Sequence, residues 1–163
     1  MCGIFGYWGN ENIKITEEKL TLANKILNHR GPDSSGIYIN KQFNLGLTHT
    51  RLSILDLSDA GHQPLISKNK NVILVFNGEI YNFLEKKSFL QKKGFVFKGN
   101  SDTEVLLNYY LYCRDNNISF KKFLRELNGI FAFSIFDLSK ESLFLVRDSF
   151  GVKPLYYLKH EEF

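Results

Sequence analysis

Two short apolar runs late in the chain, Ile130-Phe131-Ala132-Phe133-Ser134-Ile135-Phe136 and Leu143-Phe144-Leu145-Val146, flank a polar stretch from Asp137 to Ser142. Aromatic and β-branched residues in runs this short predict two strands around a turn. Strands need partners, and earlier stretches offer them. Residues 3–9 are apolar and aromatic and predict a buried first strand. Residues 37–39 and 43–50 predict two more, joined across Asn40-Lys41-Gln42, and residues 72–76 predict another buried strand. That strand is expected to stop at Asn77-Gly78, a dipeptide suited to positive φ and to a hairpin turn. A last strand is expected over residues 155–158, after a turn at Phe150-Gly151-Val152-Lys153-Pro154.

Helical patterns lie between these runs. Thr16 is placed to cap a helix reaching about Asn28, with Leu20, Ala23, Ile26 and Leu27 at helical spacing. Gly31 can end it and Pro32 prevents its extension. A second helix is expected over residues 83–93, ended by Gly94. Ser101-Asp102-Thr103-Glu104 reads as a capping box that opens a third, and residues 120–127 predict a short fourth. Strands, then helices, then strands again give an α+β chain of two sheets with helices outside them.

The chain has 163 residues, of which 44% are hydrophobic and 15% aromatic, enough for one folded domain and too apolar for disorder. No apolar run reaches the roughly 18 residues of a membrane span, and no secretory signal is visible. With only Cys2 and Cys113 available there is no disulfide framework, so a cytoplasmic location is expected. The net charge of +4 lacks the dense basic stripe of a nucleic-acid surface. Phosphate loops of the GxxxxGK[ST] or GxGxxG kind are missing, and the four histidines are scattered, so neither a nucleotide nor a metal is expected here.

Chemistry gathers at a few positions. Once Met1 is removed, Cys2 carries a thiol and a free α-amine, a nucleophile with its own base. An unperturbed α-amine titrates at about 7.7 to 8.0 and a thiol at about 8.5, so the amine can relay the thiol proton near neutral pH. Arg51, at a strand end, is suited to clamping a carboxylate. Asn77-Gly78 offers a side-chain amide and an unhindered backbone N–H, the donors of an oxyanion hole. Asp102 is suited to a cationic amine. Each also has an ordinary use: Cys2 as a small apolar residue, Arg51 in a surface ion pair, Asn77-Gly78 as a turn, Asp102 as a first-turn acid favoured by the helix dipole. Together they complement an amino acid with a side-chain amide.

The sequence resembles the amino-terminal glutaminase domain of class II glutamine amidotransferases, most of all that of glutamine-hydrolysing asparagine synthetases. The resemblance is carried by Met1-Cys2-Gly3-Ile4-Phe5-Gly6, His29-Arg30-Gly31-Pro32-Asp33, Arg51-Leu52-Ser53-Ile54, Asn77-Gly78-Glu79-Ile80-Tyr81-Asn82, Ser101-Asp102-Thr103-Glu104, Asn128-Gly129-Ile130-Phe131-Ala132-Phe133, Arg147-Asp148 and Gly151-Val152-Lys153-Pro154-Leu155-Tyr156-Tyr157. It implies an N-terminal-nucleophile αββα sandwich of two mainly antiparallel sheets spanning residues 1–163. It implies Cys2 as nucleophile and Asn77 and Gly78 as oxyanion donors. Arg51 would bind the α-carboxylate of L-glutamine, with Leu52, Ser53, Ile54 and Leu55 lining the pocket, and Glu79 and Asp102 would face its α-ammonium. No cofactor is implied for this domain; ATP and Mg would serve a synthetase domain beyond its carboxyl end, and a homodimer is compatible with the family. The alternatives are delivery of ammonia to another acceptor, such as a sugar acid or a peptide, or a glutamine-binding module without turnover.

Overall fold

A computed structural model of the protein describes residues 1–9, 13–53 and 61–159. In chain order the elements are β1 (Gly3–Trp8), α1 (Glu17–Leu27), a 3₁₀ turn (Asn28–Arg30), β2 (Ser34–Asn40), β3 (Leu45–Arg51), β4 (Leu65–Ile66), β5 (Val72–Ile80), α2 (Phe83–Lys92), α3 (Asp102–Asp115), α4 (Phe120–Arg125), β6 (Gly129–Asp137) and β7 (Ser142–Arg147). They form a three-stranded sheet, β1-β3-β2, and a four-stranded sheet, β4-β5-β6-β7, with every pairing antiparallel.

Side-chain alternation builds the layers. Leu45 and Leu47 of β3 meet Ile73 and Val75 of β5 and Phe136 of β6 between the two sheets. The intervening residues of β5, Val72, Leu74 and Phe76, point the other way with Phe131, Phe133 and Ile135. There they join Val105, Leu106, Tyr109 and Tyr110 of α3 and Phe123 of α4 in the larger core. Helix α1 covers the outside of the first sheet, which completes an α-β-β-α sandwich. Because β5 is buried on both faces, its sequence is a continuous apolar run rather than an alternating one.

The helix starts follow their local signals. Thr16 Oγ1 accepts from Lys19 N, and Ser101 Oγ accepts from Glu104 N. The capping box at Ser101 is only half made, because the Glu104 carboxylate accepts from the N–H groups of Lys98 and Gly99 instead, at 2.9 Å each. In α1 the inward face is polar in part: Asn24 is buried and accepts from Thr48 Oγ1, while Ile26 is 65% exposed.

Three expectations need correction. The first strand is an edge strand, half exposed through Phe5 and Trp8. Strand β5 does not stop at Asn77-Gly78 but runs through it to Ile80, with Gly78 opposite Phe131 of β6. Glycine is required there by a close approach and not by a turn, since a Cβ would lie 2.3 Å from Ile130 O. Residues 155–158 form no strand; Tyr156, Tyr157 and Leu158 stand exposed, with no sheet edge beside them among the described residues.

Candidate active site

The two sheets leave a cleft of about 170 Å³ where β1 begins and where β3 and β5 end. Met1, Cys2, Arg51, Leu52, Asn77, Gly78, Glu79 and Asp102 line it, together with Gly61, Gln63, Phe76, Ser101, Thr103, Ile130 and Lys153. Cys2, Arg51 and Asn77 share the inter-sheet face by parity with Ile4, Leu47 and Val75. Ser53 is not among the lining residues, and Ile54 and Leu55 lie outside the described residues.

Cys2 is held from several sides. The Leu52 N–H donates to its Sγ at 3.5 Å, and the Arg30 guanidinium donates through Nε to its carbonyl at 3.1 Å. Asp33 fixes the strand end beside it: its carboxylate accepts from Ser53 N at 2.7 Å, and its own N–H donates to Arg51 O at 3.0 Å. Gly31 sits between these two clamps, with φ −157° and ψ 84°. A Cβ there would lie 2.5 Å from Thr50 O, so the glycine lets the loop close on β3.

Asn77 is buried, yet its side-chain amide forms no hydrogen bond among the described residues. Asp102 is also buried; its Oδ2 accepts from Ile80 N at 2.9 Å. Burial pushes its carboxyl above the ordinary carboxylate range, the nearby Glu79 charge adds to this, and the bonds from Ile80 and Thr103 offset only part of it. A bound cation would relieve this pair of acids. On the other side of the charge balance, Arg51 and Lys153 supply positive groups to the same cleft.

Sequence reasoning did not single out Gln63, Thr103 or Lys153. Lys153 reaches the cleft because Asp148 organises the loop before it, accepting from the N–H groups of Phe131, Phe150, Val152 and Lys153 at 3.0–3.2 Å. Burial works against the Asp148 charge, but those four donors prevail and hold its carboxyl below the ordinary range. The available signal was a short acid followed by turn residues, Asp148-Ser149-Phe150-Gly151.

His49, fully buried beneath the cleft, reaches from β3 to Phe76 O with Nε2 at 3.2 Å. The carbonyl can only accept, so Nε2 carries the proton and Nδ1 is left without a partner. Burial, aided by the charges of His62 and Arg51, pushes the ring down to about 4 from 6.5. In the unfolded chain the ring protonates as pH falls through 6.5, but in the fold only near 4. Stability is therefore complete above that window and is lost as pH falls through it, by about 3 kcal/mol at pH 4. Urea unfolding at pH 7 and pH 4.5 measures this, and His49→Asn should flatten the difference; an unchanged acid loss in the variant would assign it elsewhere. The Asp148 contribution is lost only at lower pH, as a depressed carboxyl requires.

A sandwich of this layering, with a thiol at the mouth of the inter-sheet cleft, is an N-terminal-nucleophile amidotransferase fold. Over residues 1–163 the chain matches the glutamine amidotransferase domain family, to which it belongs. It is 42% identical to a putative glutamine-hydrolysing asparagine synthetase 2 of Methanocaldococcus jannaschii, over 96% of this chain and 32% of that protein. It is 39% identical to glutamine-hydrolysing asparagine synthetase 1 of Bacillus subtilis, over 96% of this chain and 24% of that protein. The chain thus spans about a quarter to a third of the length of these curated relatives. Among solved structures, the glutamine phosphoribosylpyrophosphate amidotransferase of B. subtilis superposes with a TM-score of 0.67 at 23% identity, covering 89% of this chain and 37% of that one, a likeness of fold. No helix among the described residues is long and apolar enough to cross a membrane.

Proposed function

We propose that the chain hydrolyses L-glutamine to glutamate and ammonia through a Cys2 thioester. The ammonia then serves ATP-dependent synthesis of asparagine from aspartate in a synthetase domain of the same protein. The observation that carries this reading is the convergence of the Cys2 sulfur, the uncommitted Asn77 amide, the Arg51 guanidinium and the Glu79 and Asp102 carboxylates on one cleft. Their charges complement a zwitterionic amino acid whose side chain reaches the sulfur. Arg51 takes the α-carboxylate, and Glu79 and Asp102 take the α-ammonium.

With Met1 removed, the Cys2 amine accepts the thiol proton and the sulfur attacks the side-chain amide carbon. Negative charge develops on the amide oxygen, where the Asn77 amide and the Gly78 N–H stabilise it. The C–N bond breaks as the ammonium returns its proton to the departing ammonia. Water, deprotonated by the same amine, attacks the thioester; the C–S bond breaks, glutamate leaves and the thiol is restored. ATP and Mg²⁺ belong to the synthetase step, and the reducing cytoplasm keeps the thiol available. A homodimer is compatible with this assignment.

Incubation with L-glutamine is expected to release glutamate and ammonia in equal amounts, and a Met1-trimmed preparation that released neither would overturn the reading. Asn77→Ala should lower kcat roughly 10²- to 10³-fold with little change in KM, as loss of one oxyanion donor does. A raised KM with kcat retained would make Asn77 a substrate-binding group instead.

A further inference from the structure

Backbone N–H groups alternate sides along a strand. At the end of β5 the Tyr81 N–H turns toward β6 and donates to Asn128 O at 2.7 Å. The N–H groups of Phe76 and Ile80 therefore face the opposite edge, and both are met there by side chains: Gln63 Oε1 accepts from Phe76 at 2.7 Å and Asp102 Oδ2 from Ile80 at 2.9 Å. Gly78 lies midway between them and shares their parity, so its N–H faces that edge too. Strand β4 covers the edge only opposite Ile73 and Leu74. Beyond it the ladder continues as two side-chain rungs with a gap between them. The Gly78 N–H, which has no partner among the described residues, opens through that gap onto the cleft.

Gln63 makes the rung nearer Asn77. It is 5% exposed, and its Nε2 donates to Thr103 Oγ1 at 3.5 Å. The Thr103 hydroxyl in turn lies 3.5 Å from Asp102 Oδ1. A single buried chain of hydrogen bonds thus runs from Phe76 through Gln63, Thr103 and Asp102 to Ile80, bracketing Gly78. From the other sheet His49 holds the Phe76 carbonyl, so both backbone groups of the residue preceding Asn77 are fixed.

Resting on the glutaminase reading above, we propose that Gln63 is a positioning residue for amide hydrolysis. Its side chain takes the place of a missing strand partner, holding the N–H of the Val75–Phe76 peptide, one unit ahead of Asn77, so that the Asn77 amide and the Gly78 N–H address the same oxyanion. Both ends of its side-chain amide are committed to protein groups, the Phe76 N–H and Thr103 Oγ1, so its removal should act on turnover rather than on affinity.

Gln63→Met keeps the volume and removes both hydrogen bonds; Gln63→Glu keeps an acceptor for Phe76. The methionine variant is expected to lose about 10- to 100-fold in kcat with KM within about twofold. Its binding of the γ-aldehyde analogue of glutamine, which forms a tetrahedral adduct with the thiol, should weaken in proportion while its binding of L-glutamate holds. The glutamate variant is expected to recover most of that loss. If the methionine variant does not fold, Gln63→Asn, which withdraws the oxygen by one methylene, carries the same comparison. Unchanged kcat in a folded variant, or equal losses of aldehyde and glutamate binding, would overturn the proposal. The unsubstituted protein is assayed first: if it released no ammonia the glutaminase reading itself would fall, whereas an active parent with an unaffected Gln63 variant would remove only the positioning role.

Discussion

Cys2→Ala is expected to lower ammonia release from glutamine by roughly 10⁴-fold or more, the scale on which a covalent nucleophile is missed. The same variant should unfold within about 1 kcal/mol of the parent. The sulfur is only half-buried and its contacts with Leu52 are long, 3.5 Å from the N–H and 3.8 Å to the carbonyl, so little packing is lost with it. The backbone clamps from Arg30 and from the Gly3–Thr50 pairing do not involve the side chain and survive the substitution. Steady-state assays beside denaturant unfolding separate the two quantities, and turnover at the parental rate would remove Cys2 from the chemistry. Cys113 is the natural control. It is buried within α3, and burial raises its pKa, so it offers neither a thiolate nor access; Cys113→Ser should leave turnover within about twofold of the parent.

Features written in local chemistry are legible in the sequence alone. Thr16 and Ser101 cap helices because their hydroxyls need only reach three residues along the chain. Gly94 ends its helix with φ +87°, a conformation glycine adopts without strain. The alternation of strand and helix signals was enough for two sheets with outer helices. What escaped notice depends on residues far apart in sequence. Asn77-Gly78 carries the signature of a turn, and nothing nearby reveals that the glycine is there to let Ile130 O approach from β6. Residues 155–158 have the composition of a strand, but composition does not provide an edge to pair with. Arg30 and Asp33 belong to a motif that the family resemblance recognised, while their work, gripping the Cys2 carbonyl and the Ser53 N–H, exists only once β1, β2 and β3 are assembled. Gln63 lies in a polar stretch with no pattern of its own, and its partners are thirteen and forty residues away.

Retention of Met1 is expected to silence the site as thoroughly as loss of a general base does, by about 10²- to 10⁴-fold. With Met1 attached, the Cys2 nitrogen is a peptide amide whose lone pair is delocalised into the carbonyl and does not take the thiol proton. Among the described residues, Asp33 is engaged with Ser53 N, and His49 is buried below the cleft with its proton directed at Phe76 O, so neither replaces the amine. Met1 also lines the cleft, so the untrimmed residue competes with substrate for the space in front of the sulfur. Activity across preparations should therefore rise in proportion to the trimmed fraction measured by intact-mass spectrometry. A chain extended by one residue ahead of Cys2 and resistant to trimming should stay silent even though its thiol still reacts with a small alkylating reagent. Full glutamine turnover by such an extended chain would show that the proton leaves the thiol by another route, and the amine would lose its role as base while Cys2 kept its own.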